Sequence, residues 1–142
     1  MPAITSVMTA NPAACRADTP LRDVARLMID HDCGQIPVVD GANELVGVVT
    51  DRDIAIRIVA EGRDGNTATA QDAMSSPAKS VASDTSLEDC TTLMEAEKIR
   101  RVPVVDAAGK LAGIVSIADL ALAGKKDATA EVVKEVSEPG QR

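Results

Sequence analysis

The chain of 142 residues contains no phenylalanine, tyrosine or tryptophan. Proteins that bind single-stranded nucleic acid depend on aromatic side chains against which the bases stack. The formal net charge of −7 also repels a phosphate backbone, and lysine and arginine never occur in runs longer than pairs. We therefore expect no nucleic-acid partner, and we expect aliphatic side chains and backbone groups to hold any bound base.

Long apolar segments are missing as well. No run approaches the roughly 20 apolar residues that span a bilayer. The Met1-Pro2-Ala3 start lacks a basic segment followed by an apolar one. From these two observations we expect a cytoplasmic protein without a membrane partner.

What the chain does contain is an internal duplication. Pro-Val-Val-Asp occurs at 37–40 and again at 103–106, and Gly-x-x-Ser/Thr-x-x-Asp occurs at 47–53 and again at 113–119. Both motifs return after the same offset of 66, without a gap. An ungapped duplication predicts two like-folded units related by a pseudo-twofold axis. Because units of about 50 residues are marginal alone, we expect a shared core, and a binding site should exist in two related copies.

Each unit reads as strand, helix, strand, strand and helix, so the predicted fold class is α/β (α+β). Apolar residues at helical spacing occupy 21–28 and 87–94, with Thr19 and the Thr85–Glu88 spacing as the expected caps. β-Branched runs at 36–39 and 45–49 flank a turn-forming Asp-Gly-Ala-Asn. We place repeat 1 at 1–60, an exposed linker at 61–69, repeat 2 at 70–124, and a C-terminal tail at 125–142 whose valines allow a short helix.

The duplication also accounts for the three cysteines. Each occupies a position that the other copy gives to an aliphatic residue: Cys15 opposite Val81, Cys33 opposite Ile99, and Cys90 opposite Val24. They are interpreted as small core residues, which leaves a redox sensor as the weakest functional alternative. The one local pair of metal-ligand types, His31 near Cys33, lacks the clustered ligands of a metal site, and we expect no metal.

The order of these motifs resembles that of a CBS domain, and their tandem arrangement resembles a CBS pair, or Bateman module, over roughly residues 4–123. The segments at 99–103 and 67–70 further resemble stand-alone bacterial CBS pairs of the hypoxic-response type. This resemblance implies a sensor that holds AMP, ADP, ATP, NAD or an S-adenosyl compound in clefts between the repeats. It also implies a homodimer and no catalytic cofactor.

Thr50 and Asp53, like Ser116 and Asp119, stand where a predicted strand ends and a helix begins. A carboxylate can accept hydrogen bonds from both hydroxyls of a ribose, and a threonine or serine hydroxyl can donate to a phosphate oxygen. In the family that the chain resembles, the matching aspartate binds ribose. The alternative is a helix capping box that needs no ligand, but the duplication favours ligand binding.

Arg100 and Arg101 precede the strand that starts at Val102, and guanidinium groups form charge-assisted hydrogen bonds with phosphate. Their counterparts, Gly34 and Gln35, carry no charge. We therefore expect the cleft of Thr50 and Asp53 to face Arg100 or Arg101, and the cleft of Ser116 and Asp119 to bind phosphate more weakly or stay empty.

Three further residues are candidates with an equally plain structural explanation. Arg52 is either an additional phosphate contact or an exposed side chain. Ile36 and Val102 either offer backbone groups and methyl surface to an adenine or are simply buried in strands. All three are kept as candidate ligand contacts.

The leading functional interpretation is a non-catalytic regulator whose nucleotide occupancy is read by a partner protein. The alternative is a structural dimerisation module with a vestigial, empty cleft. An enzyme is disfavoured, because the single histidine, His31, has no matched serine or cysteine, and the two aspartates are better explained as ribose acceptors.

Overall fold

The structure is a computed structural model that describes residues 3–124. The elements follow in the order β1 (Thr9–Ala10), α1 (Leu21–His31), β2 (Gln35–Val39), β3 (Leu45–Thr50), α2 (Asp51–Ile54, continued by a π-helical turn at Ala55–Val59), α3 (Ala70–Ala73), β4 (Val81–Ala82), α4 (Leu87–Glu97), β5 (Arg101–Val105), β6 (Leu111–Ser116) and α5, whose described part covers 117–124. This order confirms the predicted class of two β-α-β-β-α repeats. The predicted tail helix lies outside the described residues. No helix of the described part has the length and apolar character needed to cross a bilayer.

The two predicted hairpins form with the same register. β2 pairs antiparallel with β3, and β5 pairs antiparallel with β6. In the first turn, Asp40 Oδ1 accepts hydrogen bonds from the backbone N–H groups of Glu44 at 3.0 Å and Ala42 at 2.9 Å. These two donors lower the pKa of the Asp40 carboxyl from its usual value. Asp106 closes the second turn in the same way.

Each hairpin is extended by short pieces of chain. β5 and β6 lie inside a four-stranded sheet of order β1-β6-β5-β4, while β2 and β3 gain single bridges at Cys15 and Ser75. The parallel strand β4 consists of Val81 and Ala82, for which the sequence shows no strand pattern. Two residues are too few to show the alternation by which a strand is recognised.

The first segment of each repeat packs into the other repeat. Ile4 is fully buried in the core of the second repeat, beside Cys90 and Met94. Its N–H donates to the Thr85 carbonyl at 3.0 Å, and β1 then pairs with β6. The N-terminal segment, which belongs to repeat 1 by sequence, therefore completes the core and sheet of repeat 2.

The reciprocal exchange joins the start of repeat 2 to repeat 1. Ala70 and Ala73 are fully buried in the first core, and Ser75 exchanges backbone hydrogen bonds with Val48 at 2.9 and 3.1 Å. Ala68 is only 3% exposed in the same core, so the end of the predicted linker is not exposed. The expectation of one shared core is therefore wrong: the described residues form two hydrophobic clusters, and the repeats are joined by the exchange of segments between them.

The repeated glycine before each strand end is explained by this exchange. A Cβ added to Gly47 would lie 2.8 Å from the Ser75 carbonyl oxygen, and one added to Gly113 would lie 2.8 Å from the Thr9 carbonyl oxygen. Both distances are too short for a carbon atom in contact with oxygen. Glycine is required where the exchanged segment crosses the strand.

The helix caps lie one residue later than the sequence predicted. α4 is capped by Ser86, whose Oγ accepts from the Asp89 N–H at 3.0 Å, and not by Thr85 with Glu88. α1 follows Pro20, and the Thr19 hydroxyl accepts from the Arg16 N–H instead. The shift has a common cause, because the Thr19 and Thr85 carbonyls accept hydrogen bonds from the exchanged segments.

Candidate functional site

Two cavities lie between the repeats. We call the first the Thr50 cleft; it encloses about 200 Å³ and is lined by Gln35, Val48, Thr50, Asp53, Ser75, Pro77, Lys79, Ile99 and Arg101. We call the second the Ser116 cleft; it encloses about 290 Å³ and is lined by Thr9, Asn11, Pro12, Ala13, His31, Asp32, Cys33, Gln35, Pro37, Arg101, Ile114, Ser116 and Asp119. Every residue that lines the Thr50 cleft has its counterpart, 66 positions away in the sequence, in the lining of the Ser116 cleft. The duplication therefore produces two related clefts, as predicted.

The capping-box alternative is realised in both copies. The Thr50 Oγ1 accepts from the Asp53 N–H at 3.0 Å, and Asp53 Oδ2 accepts from the Thr50 N–H at 2.9 Å. Ser116 and Asp119 repeat this arrangement with both distances at 3.0 Å. Each box uses one carboxylate oxygen and leaves the other without a role in the cap. Capping therefore fixes the rotamer of each aspartate and leaves an acceptor for a ligand.

Asp53 is held at the wall of the Thr50 cleft. Its side chain is 16% exposed, and Asp53 Oδ1 lies 3.9 Å from Nε of Arg57, one helical turn later. Arg101, on the opposite repeat, lines the same cleft. The structure thus brings Thr50 and Asp53 of the first repeat together with Arg101 of the second, as the sequence predicted. The expectation that the Ser116 cleft faces only the uncharged Gly34 and Gln35 is wrong, because Arg101 lines that cleft as well and Gly34 does not.

A basic groove adjoins the Thr50 cleft and shares Thr50, Gln35, Ile99 and Arg101 with it. The groove encloses about 430 Å³ and adds three cationic side chains and one carboxylate: Arg52, Lys98, Arg100 and Asp51. Arg52 and Arg100 are exposed side chains of this groove and do not line the Thr50 cleft itself. Lys98 was not among the predicted site residues, although its position directly before the Ile-Arg-Arg segment could have indicated it.

Ile36 and Val102 lie in the two hydrophobic cores. Both side chains are fully buried, and they are not among the lining residues of the two clefts or the groove. Their methyl groups therefore stabilise the cores. At these two positions, only the backbone groups of strands β2 and β5 could contact a ligand.

Gln35 is a cleft residue that the sequence distinguished only by its lack of charge. It is 9% exposed, it is the counterpart of Arg101, and it lines both clefts and the groove. Gln35 Nε2 donates to the backbone oxygen of Arg101 at 3.4 Å. The sequence contained a signal for this contact, because Gln35 and Arg101 are 66 positions apart and are therefore equivalent in the two repeats. Equivalent residues can meet only at a pseudo-twofold axis.

The cysteines divide into two buried thiols and one that lines a cleft. Cys15 and Cys90 are 5% and 0% exposed in the two cores, as predicted, whereas Cys33 is half-buried at the Ser116 cleft. His31 lines the same cleft. Within residues 3–124, no three histidine, cysteine, aspartate or glutamate side chains are grouped to hold a metal ion.

We expect N-ethylmaleimide at pH 8 to modify Cys33 first. Burial raises the pKa of the Cys15 thiol to about 11 and also raises the pKa of Cys90, so both stay protonated and shielded. Mass spectrometry of the native protein should show one rapid addition, and the protein in denaturant should show three. Equal rates for all three native thiols would contradict the burial of Cys15 and Cys90.

Comparison with known sequences supports this architecture. The family profile for the CBS domain matches residues 4–60 and 70–126. The CBS domain-containing protein YhcV of Bacillus subtilis is 41% identical over 122 residues, which are 86% of this chain and 85% of YhcV. Hypoxic response protein 1 of Mycobacterium tuberculosis is 34% identical over 133 residues, which are 94% of this chain and 92% of that protein.

Solved structures show the same fold. The crystal structure of Hypoxic Response Protein I with two coordinated zinc ions has a TM-score of 0.79 and 34% identity, over 85% of this chain and 98% of that chain. The crystal structure of CBSX2, a CBS-pair protein of Arabidopsis thaliana, in complex with AMP has a TM-score of 0.79 and 27% identity, over 89% and 98% of the two chains. The predicted resemblance to a CBS pair of the hypoxic-response type is confirmed, and the chain belongs to the CBS domain family.

Proposed function

We propose that the protein is a non-catalytic regulatory module that binds an adenine nucleotide in the Thr50 cleft, and that a partner protein reads its occupancy. The observation that carries this proposal is the meeting of Thr50 and Asp53 from one repeat with Arg101 from the other on a single cavity. The complex of CBSX2 with AMP supports an adenosine ligand for a CBS pair of this fold.

The chemistry of the cleft fits the parts of a nucleotide. The carboxylate oxygen of Asp53 that the cap does not use can accept a hydrogen bond from a ribose hydroxyl. Arg101 can form a charge-assisted hydrogen bond with the first phosphate. The groove with Arg52, Lys98 and Arg100 extends this positive field beyond the cleft. It can receive the further phosphates of ADP or ATP, or the second half of NAD.

Calorimetric titration against AMP, ATP, NAD, S-adenosylmethionine and GTP tests this function. We expect binding of the adenosine compounds and no comparable binding of GTP. Because the chain has no tryptophan or tyrosine whose intrinsic fluorescence could report unfolding, the thermal-shift measurement needs an external dye. A ligand at a hundredfold excess over its dissociation constant should add about 2.7 kcal/mol of stability. Absence of heat and of stabilisation for every adenosine compound at millimolar concentration would contradict the proposal.

A structural dimerisation module with an empty cleft is the second candidate. The completed capping boxes favour it, because the Thr50 hydroxyl and Asp53 Oδ2 already have partners inside the chain. It predicts a dimer whose melting temperature is indifferent to all nucleotides. The same dye-based thermal shift therefore separates the two candidates.

We also propose a homodimer. Equivalent helices expose large apolar side chains: Ile56 and Val59 follow β3 and are 47% and 68% exposed, and Ile117 and Leu122 follow β6 and are 40% and 55% exposed. Two helices with the same exposed apolar character suit a contact with a second copy of the chain.

Ile56→Asp and Leu122→Asp, at equivalent positions, should each weaken dimerisation by at least about a hundredfold, because an unpaired carboxylate would be buried in the interface. Sedimentation velocity measures the change. The matched control is Thr92→Asp, an exposed position on α4. Dimers that survive both apolar-to-acidic changes would contradict this interface.

A further inference from the structure

The Thr50 and Ser116 clefts are joined at one pair of residues. Gln35 and Arg101, the first residues of β2 and β5, line both clefts, and the Gln35 side chain donates to the Arg101 backbone oxygen. Arg101 is therefore the same cationic residue for a ligand in either cleft. Binding in one cleft cannot be electrostatically independent of binding in the other.

Charge distinguishes the surroundings of the two clefts. The offset of 66 replaces each other cation of the Thr50 cleft and its groove with a residue that carries no positive charge: Lys79 with Ala13, Arg52 with Ala118, Lys98 with Asp32, and Arg100 with Gly34. Among residues 3–124, Arg101 is the one lysine or arginine that lines the Ser116 cleft. When a bound phosphate compensates the charge of Arg101, Asp32 and Asp119 leave the Ser116 cleft acidic.

Gln35 supplies no second cation. It lines both clefts, as Arg101 does, but its amide is neutral, and its side chain already donates a hydrogen bond to the Arg101 backbone oxygen.

We propose that Arg101 is a single anion anchor shared by the two clefts, so that one chain holds one phosphorylated ligand, in the Thr50 cleft. The Ser116 cleft then accepts an adenosyl compound without phosphate, either neutral or positively charged. A guanidinium paired with one phosphate has a fixed orientation and a compensated charge, which leaves a second phosphate facing Asp32 and Asp119. The coupling is reciprocal: phosphate in either cleft weakens phosphate binding in the other. This inference rests on the proposed nucleotide function and specifies its ligands.

The test uses AMP and adenosine as probes and Cys33 as a reporter of the Ser116 cleft. Calorimetry of the wild-type protein should give one AMP per chain, with any second AMP weaker by at least about tenfold. Adenosine added to the AMP-saturated protein should then bind at one per chain. Adenosine, and not AMP alone, should slow the alkylation of Cys33 by N-ethylmaleimide.

Asp32→Lys supplies the cation that the Ser116 cleft lacks. Asp32 and its counterpart Lys98 are both exposed and share a left-handed backbone, with φ of 48° and 55°, so lysine fits the conformation. The variant should raise the affinity for a second AMP by about tenfold and let AMP protect Cys33. Asp30→Lys, the same charge change at an exposed position of α1 outside the two clefts and the groove, should leave the second site unchanged.

The outcomes separate this inference from the proposed function. Two AMP molecules per chain with equal affinity, or no adenosine binding to the AMP-saturated protein, would overturn the shared anchor while leaving the nucleotide function intact. An equal effect of Asp32→Lys and Asp30→Lys would also overturn it. No AMP binding at all would overturn both.

Discussion

Replacing Asp53 with asparagine and Arg101 with alanine together should weaken AMP binding by at least about a hundredfold. Loss of a guanidinium that is hydrogen-bonded to phosphate costs about 1.5–3 kcal/mol, which is roughly ten- to a hundredfold in affinity. Loss of the Asp53 charge weakens the acceptor for the ribose. Both residues line the Thr50 cleft, one from each repeat.

The choice of asparagine separates binding from folding. Its side-chain oxygen can still accept from the Thr50 N–H, as Asp53 Oδ2 does at 2.9 Å, so the cap is kept. The control is Arg26→Ala, an exposed arginine of α1 that lines neither the clefts nor the groove. A double variant that folds with unchanged stability and binds AMP as the wild type does would remove the Thr50 cleft as the site.

Replacing Ile4 with alanine should lower the free energy of unfolding by about 2–5 kcal/mol, as expected for a large buried aliphatic side chain. The effect should be this large because Ile4 is 0% exposed in the core of the second repeat. Urea denaturation followed by far-ultraviolet circular dichroism measures it. Thr5→Ala, at the exposed neighbouring position, should stay within about 0.5 kcal/mol of the wild type.

The Ile4 experiment also tests the exchange of segments. If the N-terminal segment packed on its own repeat or lay free in solvent, Ile4→Ala would behave like Thr5→Ala. A wild-type free energy of unfolding for Ile4→Ala would therefore contradict the exchange, and with it the geometry that brings the two repeats together around the clefts.

The duplication made much of the fold predictable. The two hairpins, their aspartate turns and the helices before and after them follow from local patterns that each copy repeats. The exchange of segments could not be predicted from the sequence. Ile4 and Ala70 are recognisable as apolar residues, but no local pattern indicates which of the two cores they enter. The glycines at 47 and 113 are visible in the sequence as repeated residues, but they are required because a segment of the other repeat passes close to each strand.

The site was predictable in its composition and less so in its geometry. The Thr50–Asp53 spacing predicts a capping box and a ligand site equally well, because both need the same residue types three positions apart, and the structure shows that one carboxylate serves the cap with a single oxygen. The position of Arg101 between both clefts depends on how the repeats face each other. A linear sequence predicts that the two clefts differ in charge, but not that they share a cation.

The most direct test is a crystal structure of the protein grown with AMP. We expect AMP in the Thr50 cleft, with its ribose hydroxyls at Asp53 and its phosphate within hydrogen-bond distance of the Arg101 guanidinium. AMP bound elsewhere on the chain, or an empty Thr50 cleft at a saturating AMP concentration, would rule out this cleft as the nucleotide site.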